Sequence, residues 1–335
     1  MKIRRLLAGG LFLLLLMGLL IPRLRTSAKT VRETQFLLGT AIEITVVDLN
    51  RGKAVAAISA AFAKMREIEK ITNFYDPESD ITQVNREAAY HPVKLSEDLW
   101  NIVEISYRYG ALTEGAFDIT VGPLTKLWGW ESEYPQIPPP DEIKKVLPQV
   151  GYYLLDLNTQ EKTLFFKKPG MLIDLGGVAK GYALEKAKEI LKNYGIQNFL
   201  ISAGQIVAQG LNPQKKPWII GVQHPRDSQQ FLTVINLTEG TIATSGDYQQ
   251  FFEVNGIRYH HLLDPHIGWP VSLCQSVSVL EKDPVQADIL STALFVLGPE
   301  KGKKLVDELK IAAIIVDDRG EIHFTPYFPS EEAKK

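Results

Sequence analysis

The chain has 335 residues, enough to bury a large core in one big domain or two closely packed ones. Lys and Arg number 37 against 39 Asp and Glu, so there is no basic excess of the kind that binds nucleic acid. The single cysteine, Cys274, excludes an internal disulfide and a cysteine-rich metal site.

Lys2, Arg4 and Arg5 precede an uninterrupted apolar run, Leu6 to Ile21. A short apolar run behind basic residues reads as an export signal, and it falls slightly below the usual length of a membrane span. Thr26 and Ala28 offer small residues for a cleavage site, while Arg23 and Arg25 weigh against one. Residues 1–30 are therefore expected to be a cleaved signal peptide or an uncleaved signal anchor. Either places the domain of residues 31–330 outside the cytoplasm. No cysteine follows the run, which excludes a lipoprotein.

After a polar link, Ile42, Ile44 and Val46 alternate with polar residues and predict a half-buried strand, Thr40 to Val46. Val55, Ile58, Phe62, Met65 and Ile68 predict a helix over Ala54 to Ile71, followed by a loop, Phe74 to Asp80. Ser96, with Glu97 and Asp98 in the first turn, caps a helix ending near Gly110. Phe117, Trp128 and Trp130 lie close to glycines, where they either cover a planar ring or pack in a core. The proline-rich stretch Glu131 to Pro140 reads as a surface loop, and Gly151 to Phe166 as paired short strands. An apolar strand, Met171 to Leu175, enters a helix over Ala179 to Tyr194. Strands follow at Asn198 to Ser202, Trp218 to Val222, Leu232 to Leu237 and Thr241 to Ala243. Phe251 to Val254 and Ile257 to Leu263 flank Asn255-Gly256, a strong hairpin signal. Ser276 to Leu280 is a strand, Ala287 to Leu297 a helix closed by Gly298, and Pro299 to Lys310 a second helix. A closing hairpin takes in Ala312 to Val316 and Glu321 to Phe324. Hairpins outnumber parallel crossovers, so the class is α+β with mainly antiparallel sheets and packed helices.

Three places carry chemistry. Between Ile173 and Ala183, adjacent glycines Gly176 and Gly177 precede a helix start, where unpaired N–H groups suit a phosphate. Lys180 adds a cation there, and Asp174 can accept hydrogen bonds or sit near a metal. The same stretch also reads as a plain tight turn with a solvated lysine. Asp288 and Thr292 lie four apart on one helix and so share a face. Their oxygens suit Mg²⁺, although a threonine bonded back to its own helix is the plainer reading. Finally, His260 and His261 end a hairpin strand beside Asp264. Alternation lets only one of them face a given site, where it would serve as a proton acceptor.

Together these stretches resemble the FAD:protein FMN transferases, the ApbE-type flavin transferases. The resemblance covers roughly Phe36 to Leu309. Its motifs come in the family's order: Leu38-Gly39-Thr40, Tyr75 to Asn85, Gly115 to Leu124, Asp174 to Tyr182, Thr244 to Tyr248, His261 to Pro265, and Asp288 through Gly298. The resemblance implies an ApbE-like, T-fold-related architecture. It also implies Mg²⁺-dependent transfer of FMN from FAD to a threonine or serine hydroxyl of a target protein, with release of AMP. An FAD pyrophosphatase giving FMN and AMP, or a non-catalytic extracytoplasmic flavin-binding protein, are the alternatives. Position by position, Asp288, Thr292 and the carbonyl of Gly177 are implied as metal ligands. Leu38, Tyr75, Ala116, Phe117, Asp118, Asp174, Lys180 and Leu262 are implied as flavin-nucleotide contacts. Lys180 and His261 are the expected catalytic groups, Lys180 at the phosphates and His261 as base. The implied acceptor is a flavin-carrying subunit of a membrane electron-transfer complex. The chain departs from the family pattern at Gln205, where Asp or Asn is usual, and at Ile267, where threonine is usual.

Overall fold

The computed structural model describes residues 29–130 and 135–329. The run Leu6 to Ile21, its basic flank and the cleavage residues Thr26 and Ala28 lie outside the described residues, as does Glu131 to Tyr134 of the proline-rich loop. Among the described residues, no helix is long and apolar enough to cross a membrane.

The fold is α+β, built on an eight-stranded sheet whose strands lie side by side in chain order, each antiparallel to the next. They are Lys29–Leu37, Thr40–Asp48, Phe199–Ser202, Ile206–Gln209, Glu239–Gly246, Cys274–Glu281, Ala312–Asp317 and Ile322–Phe324. Side chains alternate between the faces. Ile42, Ile44, Val46 and Val207 enter the main core with helices Arg51–Thr72, Ala179–Asn193 and Pro284–Leu309. Val47 and Ala208 point the other way, into a smaller core under the hairpin Trp218–Gln223 and Phe231–Leu237. A third cluster, around Trp128, Trp130, Ile143 and Leu263, packs beneath the hairpin Phe251–Val254 and Ile257–His260.

Three sequence expectations are corrected. Residues 29–37 are an edge strand, not a polar link. Paired on one side only, the strand tolerates a mostly polar sequence, and only Val31 and Leu37 are buried. Met171 to Leu175 is not a strand: among the described residues, its one backbone hydrogen bond to another stretch runs from the Asp174 N–H to the Ile119 carbonyl at 2.8 Å, too little for a ladder. Instead the Asn85 side chain imitates a strand partner, accepting from the Ile173 N–H at 2.7 Å and donating to the Ile173 carbonyl at 2.9 Å. Ser96 holds the extended N-cap position but makes no side-chain cap bond. The two helices expected on either side of Gly298 are present within Pro284–Leu309, separated where Gly298 leaves helical geometry at φ 72° and ψ 176°. In addition, the expected loop after Phe74 gives way at Asp80 to a short helix, Asp80–Glu87, capped by Ser79.

Candidate active site

One cleft, with about 820 Å³ of empty space out to its open mouth, lies where the helix Ala179–Asn193 meets the helix Pro284–Leu309. Its lining includes Phe117, Asp174, Gly177, Lys180, Ser245, His261, Asp288 and Thr292.

Asp288 is fixed by the close meeting of those two helices. The Gly181 N–H donates to its Oδ2 at 2.8 Å. A Cβ on Gly181 would fall 2.5 Å from the Pro284 carbonyl oxygen and 2.8 Å from the Asp288 Cβ, so only glycine allows this approach. Burial raises the Asp288 carboxyl to about 6, against the lowering influence of Lys180, the Gly181 N–H and the Gln205 amide. Burial thus favours the neutral acid, and a cation beside it would favour the carboxylate.

Thr292 is one turn further along. Its hydroxyl lies 3.3 Å from the Asp288 carbonyl oxygen and 3.3 Å from Ser245 Oγ. The back-bond to its own helix thus exists, but it is long. Ser291 anchors the same turn, donating to the Asp288 carbonyl at 2.9 Å and pairing with Ser245 Oγ at 2.9 Å. Across the gap, a Cβ on Gly177 would meet Phe117 Cε2 at 3.2 Å and Thr292 Oγ1 at 3.7 Å. The space that a side chain there would take is left to the cleft. A carboxylate oxygen and a hydroxyl one turn apart on a helix are hard oxygen donors, a chemistry that fits Mg²⁺.

The turn before the helix is held by its acid. Asp174 Oδ1 accepts from the Gly176 N–H at 2.9 Å and its Oδ2 from Thr125 Oγ1 at 2.9 Å. Lys180 follows, half-buried, and among the described residues no carboxylate stands within ion-pair distance of its ammonium. Asp118 also borders the cleft, but both its oxygens are occupied by the fold. They accept from the Thr120 N–H and hydroxyl at 2.8 and 2.6 Å and from the Tyr152 N–H at 2.7 Å. Burial keeps its carboxyl above the usual range.

The two histidines divide as strand alternation requires. His260 is buried, edge-on to Phe295, with Nε2 2.6 Å from the Val271 carbonyl. His261 borders the cleft, with Nδ1 3.3 Å from the Gln250 carbonyl. A carbonyl only accepts, so Nδ1 carries the hydrogen and Nε2 keeps its lone pair. Burial lowers the His261 imidazole to about 4, with help from the His260 and Lys180 charges, so it is neutral at pH 7.

This order of motifs around one cleft is matched by a family model. The model described as "ApbE family" covers residues 38–315. The chain belongs to the ApbE family. It is an enzyme, as its curated relatives are. The FAD:protein FMN transferase of Klebsiella pneumoniae (strain 342) is 32% identical over 291 residues, covering 85% of this chain and 83% of its own. That of Escherichia coli (strain K12) is 32% identical over 260 residues, 76% of this chain and 74% of its own. Among solved structures, the ApbE protein of Thermotoga maritima matches with a TM-score of 0.82 at 33% identity. The match covers 91% of this chain and 98% of that one. The flavin transferase ApbE of Vibrio cholerae matches with a TM-score of 0.81 at 29% identity, over 90% and 98%.

Of the residues that the ApbE resemblance singled out, the cleft gathers Ala116, Phe117, Asp118, Asp174, Gly177, Lys180, His261, Leu262, Asp288 and Thr292. Leu38 and Tyr75 are not in its lining. Leu38 donates its N–H to Glu69 Oε1 at 2.6 Å, and Tyr75 is half exposed, edge-on to Phe74. Trp128 and Trp130 take the core alternative, stacked on each other at 5.3 Å in the third cluster. Sequence reasoning missed Ser245, Ser291, Thr125 and Gln249. Ser291 is three residues from Asp288, and Ser245 lies inside a quoted motif, so spacing gave a signal for those two. Gln205, noted only as a departure, is buried beside Asp288, and its Oε1 has no hydrogen-bond partner among the described residues.

Proposed function

We propose that this ApbE-family enzyme transfers FMN from FAD to a threonine or serine hydroxyl of an acceptor protein, with Mg²⁺ as cofactor and AMP as the second product. The observation carrying this reading is the meeting of Asp288, Thr292, Lys180 and a neutral His261 around one cleft. The names of the curated relatives supply the substrate and the acceptor class.

The acceptor oxygen attacks the phosphorus of the FMN half, and the bond from that phosphorus to the bridging oxygen breaks, leaving on AMP. His261 Nε2 takes the hydroxyl proton as the new P–O bond forms. Lys180 places its ammonium against the growing negative charge. Asp288, Thr292 and the Gly177 carbonyl would hold the divalent cation, which would supply charge neutralisation at the pyrophosphate. Holding the hydroxyl in line with phosphorus accounts for much of the remaining barrier. Flavin contact by Leu38 and Tyr75 rests on the resemblance alone.

The same reading places the enzyme on the extracytoplasmic face of the membrane, held by residues 1–30. There it would meet a flavin-carrying subunit of an electron-transfer complex. The deciding experiment incubates an FMN-accepting domain with the enzyme, FAD and Mg²⁺ and weighs the products by mass spectrometry. A mass gain equal to FMN is expected. Free FMN with an unmodified acceptor would instead mark a pyrophosphatase, and intact FAD a binding protein.

A further inference from the structure

We propose that the end of the central sheet at Lys29 is a docking surface for an anionic phospholipid bilayer. This rests on the reading above that Leu6 to Ile21 is a membrane segment. Residues 22–28 alone separate that run from Lys29, a reach of at most about 25 Å, so this end of the sheet is kept close to the bilayer.

Three loops form the surface, and hydrogen bonds tie them into one piece. Lys29 pairs with Asp48, so the first strand's start and the second strand's end lie together. The Val47 N–H donates to the Asn198 carbonyl at 2.9 Å, and Asn198 Oδ1 accepts from the Leu211 N–H at 2.7 Å. Lys53 Nζ lies 2.8 Å from Asp48 and donates to the Gly195 carbonyl at 3.2 Å.

Each loop exposes a large apolar or aromatic side chain: Leu49 at 61%, Tyr194 at 43% and Leu211 at 38%. Around them Lys29, Arg51, Lys215 and Lys216 are exposed. Two acids at this end are matched by cations, Asp48 by Lys53 and Glu239 by Lys192 and Lys282, the last two each 3.9 Å away, while Glu281, one strand beyond Glu239, accepts from the Lys282 N–H. Arg51 opens its helix with no acid in the first turn, where the helix dipole disfavours a cation. An anionic surface offsets that penalty. Leucines and a tyrosine entering the headgroup layer, ringed by Lys and Arg, are the pattern of an interfacial contact.

The geometry also sets the orientation. Ser245, at the cleft, lies six residues along the strand that begins at Glu239, about 20 Å toward the other end of the sheet. The docked domain therefore carries its cleft away from the lipid, at the height of a protein domain standing on the same membrane.

The test uses the full-length enzyme in vesicles, with Leu49→Cys, Leu211→Cys or Ile267→Cys carrying an environment-sensitive fluorophore. Cys274 stays unlabelled, because it is buried and its thiol is pushed up to about 12. In vesicles rich in phosphatidylglycerol, the labels at 49 and 211 are expected to shift to the blue. The label at Ile267, exposed on a loop at the cleft side, is expected to stay at its aqueous value. Lys215→Glu with Lys216→Glu should abolish the shift at 211. Two outcomes overturn the docking surface while leaving the membrane segment standing: protein that floats with vesicles but shows aqueous emission at 49 and 211, or equal shifts in purely zwitterionic vesicles. Protein that does not float at all overturns both.

Discussion

Asp288 is a charge placed where the fold resists it. Its carboxyl titrates near 3.8 when exposed but at about 6 when buried in the native chain. The folded state therefore binds the proton more tightly, and stability falls as pH rises through that window. Asp288→Asn removes the penalty while keeping the shape. At pH 8 without metal it is expected to melt a few degrees higher, a gain of about 1–3 kcal/mol, while turnover is lost. Calorimetry of both proteins checks this, and a lower melting temperature would show the carboxylate to be stabilising instead. Thr292→Val should reduce turnover less, since a neutral ligand is removed rather than a charge. His261 has the opposite sign. With its imidazole lowered from 6.5 to about 4, stability is lost as pH falls between those values. The base is neutral throughout the physiological range. At saturating Mg²⁺, the acid limb of kcat/KM should thus lie near 4, and His261→Asn should cost about 10²–10⁴-fold in rate. A limb at 6.5 that survives in His261→Asn would assign the proton transfer to another group.

At the scale of elements, the site depends on two helices touching at Gly181. Alanine would improve helix propensity there by about 1 kcal/mol. Against this stands a contact of 2.5 Å with the Pro284 carbonyl, a backbone atom that cannot swing aside. Overpacking of this kind costs about 1–3 kcal/mol, so the clash wins. Gly181→Ala is expected to unfold at lower denaturant and to weaken Mg²⁺ binding, because it moves the N–H that holds Asp288. Urea unfolding with a parallel Mn²⁺ titration separates the two effects. Metal affinity unchanged in the folded variant would mean that Asp288 does not depend on this contact.

For the whole molecule, the cleft collects residues from five separate stretches, around 117, 177, 245, 262 and 290. A meandering sheet with long excursions between its strands brings them together. On the proposed reading, the run Leu6 to Ile21 holds the domain at the membrane. Cell fractionation with N-terminal sequencing is expected to find an intact Met1 in the membrane fraction. A soluble exported chain beginning near Lys29 would replace the anchor by a cleaved signal. Full-length protein in the cytosol would remove the case for an extracytoplasmic acceptor.

By itself the sequence determined what short range can encode. The period of Ile58, Phe62, Met65 and Ile68 set the helix Arg51–Thr72 to within a few residues, and Asn255-Gly256 set its hairpin, both residues taking positive φ. The four-residue spacing put Asp288 and Thr292 on one helix face, and the order of motifs marked the family. Only the tertiary structure decided which neighbours these groups meet. It gave the edge strand Lys29–Leu37 its partner, and it gave Ile173 an asparagine side chain in place of a strand. It turned His261 rather than His260 to the cleft, and it buried Trp128 and Trp130 in a core. Periodicity records which face of an element is apolar, because that repeats every few residues. The identity of the atom across the gap depends on chain a hundred residues away, as with Gly181 and Asp288, and no local pattern carries it.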